Sequence, residues 1–364
     1  MTYTKEDILA ALGHVNDPDL KKDLVTLNMI DNIGIEGTKI KFRLILTTPA
    51  CPLKDKIKKD CIDAIHTYVD RDAEVEIEVT SKVTSMRPEN EEMLKQVKNI
   101  IAVGSGKGGV GKSTVAVNLA IALGKTGAKV GLIDADIYGP SIPMMFGLLD
   151  DRPTGYEKDG KTIIIPFEKY GIKLLSIGFF VDRSKALIWR GPMASVALRQ
   201  LFTDTEWGAL DYMIIDLPPG TGDIPLTLIQ SFPLTGAIIV TTPQQVAVSD
   251  VRKAADMFRN EQINIPILGL IENMSYFIPP DMPGKRYPIF GEGGGRKFAD
   301  ELNIPLLGQI PIDGLITISG DNGRPIIMDE LSPVAKAFTE ITAAVSQQIA
   351  INNSIKETFT LSSN

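Results

Sequence analysis

The sequence has few residues that could form a disulfide framework or a structural metal site. Its 364 residues include two cysteines and two histidines, which excludes a multi-disulfide scaffold and a zinc site with the usual ligand spacings. No run approaches the ~18 consecutive apolar residues that a membrane-spanning helix needs. The chain opens MTYTKEDILA, without the basic-then-apolar pattern of a signal peptide, so we expect a cytoplasmic protein.

Basic residues are also in the minority. Lys and Arg number 38 against 45 Asp and Glu, which gives a net charge of −7. Such an acidic chain is a poor candidate for non-specific binding to nucleic acid or to anionic membranes, and we expect neither as a partner. The length exceeds the roughly 250–300 residues that one hydrophobic core supports, and it predicts two domains.

Residues 1–80 have the pattern of a small α+β domain. Thr4 and Asp7 form a sequence capping box, which predicts a short helix running to Leu12. Apolar residues then alternate with mostly polar ones as in a half-buried strand, and later recur at helical spacing. The predicted strand, helix and further strand lie at 40–46, 53–68 and 75–79.

From residue 99 the pattern changes to short apolar runs separated by helical stretches. Examples of the runs are IIAV, KVGLIDAD, YMIIDLPP, AIIVTTP and ILGLIEN. Strands buried on both faces and separated by helices predict an α/β fold with a doubly wound, mostly parallel sheet. We assign residues 81–98 to a charged linker, 99–350 to this second domain and 351–364 to a frayed polar tail.

The strongest motif is the run GSGKGGVGKST at 104–114. Residues 106–113 match the Walker A pattern G-x-x-x-x-G-K-S/T of P-loop NTPases. The glycines let backbone N–H groups converge on phosphate oxygens, Lys112 neutralises the β and γ phosphates, and Ser113 ligates Mg²⁺. The motif follows an apolar strand and opens a helix predicted over 112–124, whose N-terminus favours anions. We predict that ATP is bound by Gly106, Lys107, Gly108, Gly109, Val110, Gly111, Lys112, Ser113 and Thr114.

Carboxylates follow two of the later apolar runs. Asp134 and Asp136 end the run KVGLIDAD, and Asp216 ends the run YMIID. Ligands of open α/β sheets bind at the carboxyl ends of the strands, where these side chains are expected. Asp216 has the Walker B placement beside the metal, and the loop at 218–222 is placed to sense the γ-phosphate.

A second lysine inside the loop, Lys107, is an addition to the plain motif. The resulting KGGVGKS resembles the deviant P-loop of the MinD/ParA/nitrogenase-reductase class. The resemblance implies a homodimer that sandwiches ATP, in which Lys107 reaches across to the nucleotide of the other copy. It further implies that Asp136 positions or activates the attacking water and that Asp134 organises Mg²⁺ through water. Lys107, Lys112 and Asp136 are therefore the expected catalytic residues.

The resemblance also extends to the expected adenine side of the site. Asn273, in the segment IENMS, resembles the adenine-reading asparagine of this class. The stretch 310–313, which contains Pro311, and the later Gly-Arg-Pro at 323–325 resemble its base-side loop. A small-molecule kinase would share the P-loop, but the pairing of Lys107 with Asp136 argues against one.

Over nearly the whole chain the sequence resembles the Mrp/ApbC group of iron–sulfur cluster carrier ATPases. The motifs are DADIYGPSIP at 134, IWRGPM at 188, DLPPGTGD at 216, ENMSYF at 272 and IFGEGGG at 289. Residues 1–80 resemble the iron–sulfur-assembly domain fused to bacterial members, with TTPACP and its Cys51 as the hallmark. The resemblance implies ATP hydrolysis and transfer of clusters to apoproteins, with other assembly proteins as partners. We expect slow turnover, because nothing in the sequence supplies an arginine finger.

One departure from that group concerns the cluster itself. Members usually carry Cys-Pro-x-Cys after ENMSYF, so that two cysteines from each subunit hold a four-iron, four-sulfur cluster. Pro279 and Met282 stand at those positions here. Proline has no ligand atom and a methionine thioether is a weak substitute for a thiolate, so this bridging cluster cannot form from the loop 279–285.

Three interpretations remain open at this point. Cluster handling persists through Cys51, which precedes a predicted helix start where a thiol pKa is lowered. Alternatively, the protein is a cluster-free, nucleotide-gated adaptor that acts on a client. In the third interpretation it is a positioning ATPase like MinD or ParA. Cys61 lies on the apolar face of its predicted helix and is expected in the core, and His14 and His66 have no partner at ligand spacing.

Overall fold

The computed structural model describes residues 3–87, 93–181 and 191–362. It divides into two compact units, the first formed by Met1–Ser85 with Ser346–Asn364 and the second by Met86–Val345. Residues 88–92 of the predicted linker and the start of the IWRGPM motif lie outside the described residues. Within the described ranges, no helix combines the length and the apolar character needed to cross a membrane.

The first unit is a three-stranded sheet with two helices. Its elements in chain order are α1 (Lys5–Leu12), β1 (Ile30–Glu36), β2 (Lys39–Leu46), α2 (Lys54–Tyr68) and β3 (Glu74–Ser81). Strand β2 lies in the middle, antiparallel to β1 and parallel to β3. The predicted capping box at Thr4 and Asp7 is confirmed, since each residue's side chain accepts a hydrogen bond from the other's backbone N–H. Strand β1 was not predicted, because its sequence IDNIGIE includes the poor strand formers Asp, Asn and Gly. Its pairing with β2 has a register shift between Asp31 and Gly34.

The two faces of strand β2 have opposite chemistry. Ile40, Phe42, Leu44 and Leu46 are buried in the core of the first unit, together with Ile57, Cys61 and Ile65 of α2, which confirms the core position predicted for Cys61. The opposite face carries cations in register with the glutamates of β3. The Lys41 Nζ lies 2.7 Å from Glu76 Oε1 and the Arg43 Nε lies 3.5 Å from Glu78 Oε2. An apolar layer and a charged ladder therefore share one strand.

The second unit holds the larger sheet. Its elements are β4 (Val97–Gly104), α3 (Lys112–Lys125), β5 (Val130–Asp134), α4 (Ile142–Met145), β6 (Gly155–Lys158), β7 (Lys161–Ile164), β8 (Phe167–Lys169), β9 (Ile172–Ser176), α5 (Gly191–Thr203), β10 (Leu210–Asp216), α6 (Asp223–Ser231), β11 (Gly236–Thr241), α7 (Gln245–Arg259), β12 (Ile267–Glu272), α8 (Gly294–Leu302), β13 (Leu306–Gln309) and α9 (Gly314–Asp321). The last helix, α10 (Pro333–Ser362), begins in the second unit, and its residues from Ser346 onward belong to the first.

The sheet of the second unit is mostly parallel. Within the described residues it has eight strands in the order β13-β12-β11-β4-β10-β5-β9-β8, and β8 is antiparallel to its neighbour. Strands β5 and β11 are buried along their whole length, as expected for a sheet covered on both faces. The predicted α/β fold is confirmed. Strand β4 is central, so the loop that follows it leaves the sheet beside β10 and β11.

The structure differs from the frayed tail predicted for residues 351–364. Helix α10 continues to Ser362, and Ile349, Ala350 and Asn353 are buried. The Asn353 Nδ2 donates to the Thr84 carbonyl at 3.1 Å within the first unit. Polar composition misled the prediction, because tertiary contacts outweigh the weak helix propensity of the asparagines.

The two faces of β2 predict opposite sensitivities to substitution. Phe42→Ala removes a side chain that is 1% exposed and should lower the opening free energy of β2 and β3 by about 3–5 kcal/mol. Lys41→Ala breaks an exposed ion pair that solvent screens, so we expect a small effect that disappears in high salt. Hydrogen exchange of the β2 and β3 amides in the full chain measures both. Equal effects of the two substitutions would contradict the assignment of the faces.

Candidate functional site

The loop between β4 and α3 is shaped by glycines that other residues could not replace. Gly109 and Gly111 have φ angles of 80° and 82°, in the left-handed region that side chains rarely adopt. A Cβ added to Gly106 would lie 2.2 Å from the backbone carbonyl carbon of Asp250 in α7. Helix α3 then begins at Lys112, within one residue of the predicted bounds. The loop forms the nest of backbone N–H groups that the motif predicts.

Lys112 is the centre of a buried charge cluster. Its Nζ donates to Asp216 Oδ1 at 2.7 Å and lies 3.6 Å from Asp136 Oδ2. Lys112 is 5% exposed and Asp216 is fully buried. The Ser113 hydroxyl lies 3.4 Å from the same ammonium group. The structure thus brings the predicted Walker A lysine and serine to the Walker B carboxylate.

Asp134 lies directly beside this cluster, because parallel pairing sets Asp134 of β5 opposite Asp216 of β10. Its carboxylate accepts hydrogen bonds from the backbone N–H groups of Asp136 and Ile142, at 3.1 and 3.2 Å, and from Ser176 Oγ at 2.9 Å. Asp134 therefore holds in place the segment that contains Asp136. Asp136 itself accepts a hydrogen bond from the Tyr138 N–H at 3.2 Å.

Burial and mutual repulsion raise the proton affinity of these carboxylates. Burial raises the pKa of Asp134 to about 7, and the neighbouring Asp216 adds to the shift. Burial also raises the pKa of Asp216, although the Lys112 ammonium opposes this. Burial lowers the pKa of Lys112, but attraction to Asp216 and Asp136 outweighs it, and the net direction is upward. The cluster has more carboxylates than the single buried ammonium can neutralise.

An open cleft of about 220 Å³ lies over this cluster. Its lining combines the phosphate loop with Asp136 and with residues from the neighbouring loops. The lining residues are Ser105, Lys107, Gly108, Gly109, Gly111, Lys112, Ser113, Thr114, Asp136, Ser141, Met145 and Pro219. The three predicted catalytic residues therefore share one cleft with the predicted phosphate-binding residues, except Gly106 and Val110, which do not line it.

The loop after β10 is connected to the phosphate loop. The Gly220 N–H donates to the Ser105 carbonyl at 3.0 Å, and the Ser105 hydroxyl donates to the Lys107 carbonyl at 2.9 Å. Ser105 was missed as a site residue, although it lies inside the GSGKGG run. Ser176 was also missed, since the short strand β9 that ends with it had no clear pattern.

The expected adenine-side residues do not line the cleft. The Asn273 Nδ2 donates to the Val110 carbonyl at 2.9 Å, so Asn273 supports the phosphate loop from behind. Pro311 follows β13, and the adjacent Ile310 and Ile312 donate to the Glu272 and Tyr276 carbonyls. Arg324 and Pro325 line a separate cavity of about 230 Å³ beside α9.

The two regions considered for a cluster differ in their chemistry. Burial raises the pKa of the Cys51 thiol, and the carboxylates of Asp19 and Asp17 add to this, so the predicted lowering of this pKa is wrong. Cys51 lies ahead of α2, where backbone N–H groups of Leu53 and Lys54 lower its pKa less than burial raises it.

Met282 is 43% exposed, and the Tyr287 Oη donates to its Sδ at 4.0 Å. In the described ranges, no three His, Cys, Asp or Glu side chains are arranged to hold a metal.

The residues of the cleft fit a divalent cation held jointly with phosphates. The Asp216 Oδ2 is buried and has no hydrogen-bond partner within the described part of the chain. A buried carboxylate oxygen of this kind needs a donor or a cation. Ser113 stands at the first turn of α3 beside it, and hydroxyl and carboxylate oxygens are the donors that Mg²⁺ prefers.

The glycine contacts predict unequal effects of two substitutions in the second unit. Gly106→Ala forces a backbone clash and should weaken binding of a fluorescent ADP analogue by about tenfold or more. Gly284→Ala is the control, because its Cβ would meet no atom within 4 Å and Gly284 does not line the cleft. A loss of affinity for Gly284→Ala as large as that for Gly106→Ala would contradict this geometry.

Comparison with known proteins gives two family matches, which correspond to the two units of the fold. Residues 96–346 match the family described as "ParA: NUBPL iron-transfer P-loop NTPase", and residues 5–79 match "Iron-sulfur cluster assembly protein". An "Iron-sulfur cluster carrier protein" of Synechocystis is 47% identical over 350 residues, covering 96% of this chain and 98% of the relative. A protein of the same name from Escherichia coli K12 is 40% identical, covering 94% and 90%.

A solved structure also matches the second unit's fold. The nucleotide-binding protein of Archaeoglobus fulgidus in complex with ADP is 40% identical, with a TM-score of 0.57, covering 67% of this chain and 93% of that protein. Together with the near-complete coverage of the carrier proteins, this confirms the resemblance drawn from the sequence. The chain belongs to the family of NUBPL-type iron-transfer P-loop NTPases, with an iron–sulfur cluster assembly domain ahead of the NTPase domain.

Proposed function

We propose that this protein is a Mg²⁺-dependent ATPase of the cytoplasm that carries iron–sulfur clusters and transfers them to apoproteins. The observation that carries the ATPase part is the Lys112–Asp216–Asp136 cluster beneath a glycine-lined cleft. The carrier part is supported by relatives named iron–sulfur cluster carrier proteins that match almost the whole chain. Apoproteins and other assembly proteins are the expected partners.

Each part of the cleft has a defined role in this proposal. Backbone N–H groups of the loop bind the phosphates. Lys112 gives up part of its contact with the carboxylates and binds the β and γ phosphates. Ser113 and Asp216 hold Mg²⁺, with Asp134 fixing the segment around it. Bound Mg²⁺ would supply neutralisation of the phosphate charge that develops during transfer. Asp136, which lines the cleft, orients the attacking water.

Hydrolysis is coupled to the loop that follows β10. The bond from Gly220 to the Ser105 carbonyl joins this loop to the phosphate loop, so loss of the γ-phosphate changes both together. We expect slow turnover, because no arginine is assigned to stabilise the transition state. Asn273, placed behind the loop, and Pro311 remain candidates for the adenine side in the nucleotide-bound form.

A homodimer completes the site in this proposal. Lys107 lines the cleft, and the proposal assigns it to the nucleotide of the second copy. The cluster, as cargo, requires thiolates. Pro279 and Met282 do not supply them, so Cys51 is the candidate ligand in each copy, with further thiols from a partner.

A second candidate function is a cluster-free, nucleotide-gated adaptor. The specific observation in its favour is the replacement of both expected cysteines by Pro279 and Met282. The raised pKa of Cys51 points the same way, because the thiolate is the ligating form. Both candidates share the ATPase and differ in whether iron is bound.

Single substitutions test the ATPase chemistry. Lys112→Ala should lower turnover by about 10²–10³-fold, since it removes a phosphate contact. Asp136→Ala should lower it by about 10²–10⁴-fold, the range for a residue that orients or deprotonates the nucleophile. Phosphate release under saturating Mg²⁺ and ATP measures both, with Lys161→Ala on an exposed hairpin as the control. Wild-type rates in both variants would refute the mechanism.

A subunit-mixing experiment tests the role of Lys107 across the dimer. Lys107→Ala and Asp136→Ala chains should each be inactive alone. After mixing, about half of the dimers are heterodimers with one complete site, and about a quarter of wild-type turnover should return. If Lys107 acted on its own chain's nucleotide, no mixed site would be complete and mixing would restore nothing.

Anaerobic reconstitution with iron and sulfide separates the two candidate functions. The carrier proposal predicts that the wild type retains iron and that Cys51→Ser loses it, while Met282→Ala retains it. Iron and sulfide per chain are measured after desalting. Absence of iron in every variant, with ATPase activity intact, would favour the adaptor.

A further inference from the structure

A second cavity lies at the other end of the sheet from the phosphate loop. It has a volume of about 550 Å³. Val130, Ile172 and Leu210 line it, and they are the first residues of β5, β9 and β10. The phosphate cleft lies beyond the carboxyl ends of β5 and β10, which over the five residues of β5 is roughly 15 Å away. The two cavities are therefore separate sites.

The walls of this second cavity combine an apolar floor with a cationic rim. The three strand residues are buried, and Trp207 and Tyr170 are two further lining residues. The rim carries three cations and one carboxylate, namely Lys129, Lys169, Lys173 and Glu168. A local excess of positive charge stands out in a chain whose net charge is −7.

The contacts of the lysines leave their charge available to a ligand. The Lys173 Nζ donates to the Trp207 carbonyl at 3.0 Å and lies 3.8 Å from the mostly exposed Glu168 carboxylate. The Lys169 Nζ donates to the Phe146 carbonyl at 2.6 Å, which is a neutral partner. Among the described residues, no carboxylate lies within ion-pair distance of the Lys129 Nζ.

The adjacent acidic residue does not neutralise the rim. The Asp211 carboxylate already accepts a hydrogen bond from the Lys98 Nζ at 2.8 Å and from the Lys129 backbone N–H at 2.9 Å. Asp211 is also absent from the lining of the cavity. Among the described lining residues, the three lysines therefore outnumber the one carboxylate, Glu168, and the rim keeps a net positive charge.

We propose that this cavity binds a small organic anion with a flat apolar body, independently of ATP. Its volume lies in the range of small-molecule sites, which are mostly apolar with a few polar anchors. The apolar floor takes the body of the ligand, and Lys129 and Lys173 contact its carboxylate, sulfonate or phosphate group. This site is distinct from the proposed ATPase function, so a failure of either leaves the other unaffected.

The dye 8-anilino-1-naphthalenesulfonate has this chemistry and serves as the probe. In the full chain with Trp189→Phe, Trp207 is the sole tryptophan, and energy transfer from it to the dye reports binding near the cavity. The double variant Lys129→Gln/Lys173→Gln should bind the dye at least tenfold more weakly, as measured by this energy transfer. Ala209→Phe, which fills the cavity mouth and leaves the lysines intact, should do the same.

Three controls make the outcome decisive. Lys161→Gln, on an exposed strand outside the cavity, should bind within twofold of the parent. The neutral analogue N-phenyl-1-naphthylamine should bind at least tenfold more weakly and should not respond to the lysine substitutions. Saturating ADP should not displace the dye. Unchanged affinity in both cavity variants, or displacement by ADP, would overturn the proposal.

Discussion

The phosphate site depends on one buried ammonium group that faces more carboxylates than it can neutralise. Parallel pairing places Asp134 and Asp216 side by side at the carboxyl ends of two central strands, and Lys112 pairs with Asp216 and lies near Asp136. Buried charges are stable only when they are paired and hydrogen-bonded. The cluster therefore fixes the position of the lysine. It also leaves an excess of negative charge in a site that has to bind anions. In the proposed function, Mg²⁺ and the Lys107 side chain of the second copy balance this surplus.

Much of this arrangement follows from local sequence. The glycine spacing in the loop predicts the backbone nest, and the aspartates that end apolar runs meet at one sheet edge because parallel strands share their carboxyl end. The core of the first unit could also be predicted from the sequence, since alternation in β2 identifies Ile40, Phe42 and Leu44 as the buried face. These features depend on residue type and spacing alone.

Other features arise only from the tertiary structure. Asn273 occupies the space behind Gly111, where a Cβ would lie 2.2 Å from its Nδ2, and no sequence pattern encodes this contact. Ser176 reaches Asp134 from a short strand, and α10 remains helical through polar residues because Asn353 is buried. The pKa of Cys51 depends on burial and on Asp19, whereas the sequence indicated only a helix start. The replacement of the two expected cysteine ligands by Pro279 and Met282, by contrast, can be seen in the sequence alone.

The surplus of carboxylates around Lys112 is tested most directly by ADP binding with Mg²⁺ and with EDTA, in the wild type and in Asp216→Asn. The account predicts that EDTA weakens wild-type binding by about tenfold or more, because the surplus carboxylate charge around Lys112 then repels phosphate. The variant should depend little on Mg²⁺ and should bind ADP more tightly than the wild type in EDTA. An identical dependence on Mg²⁺ in both proteins would contradict the account.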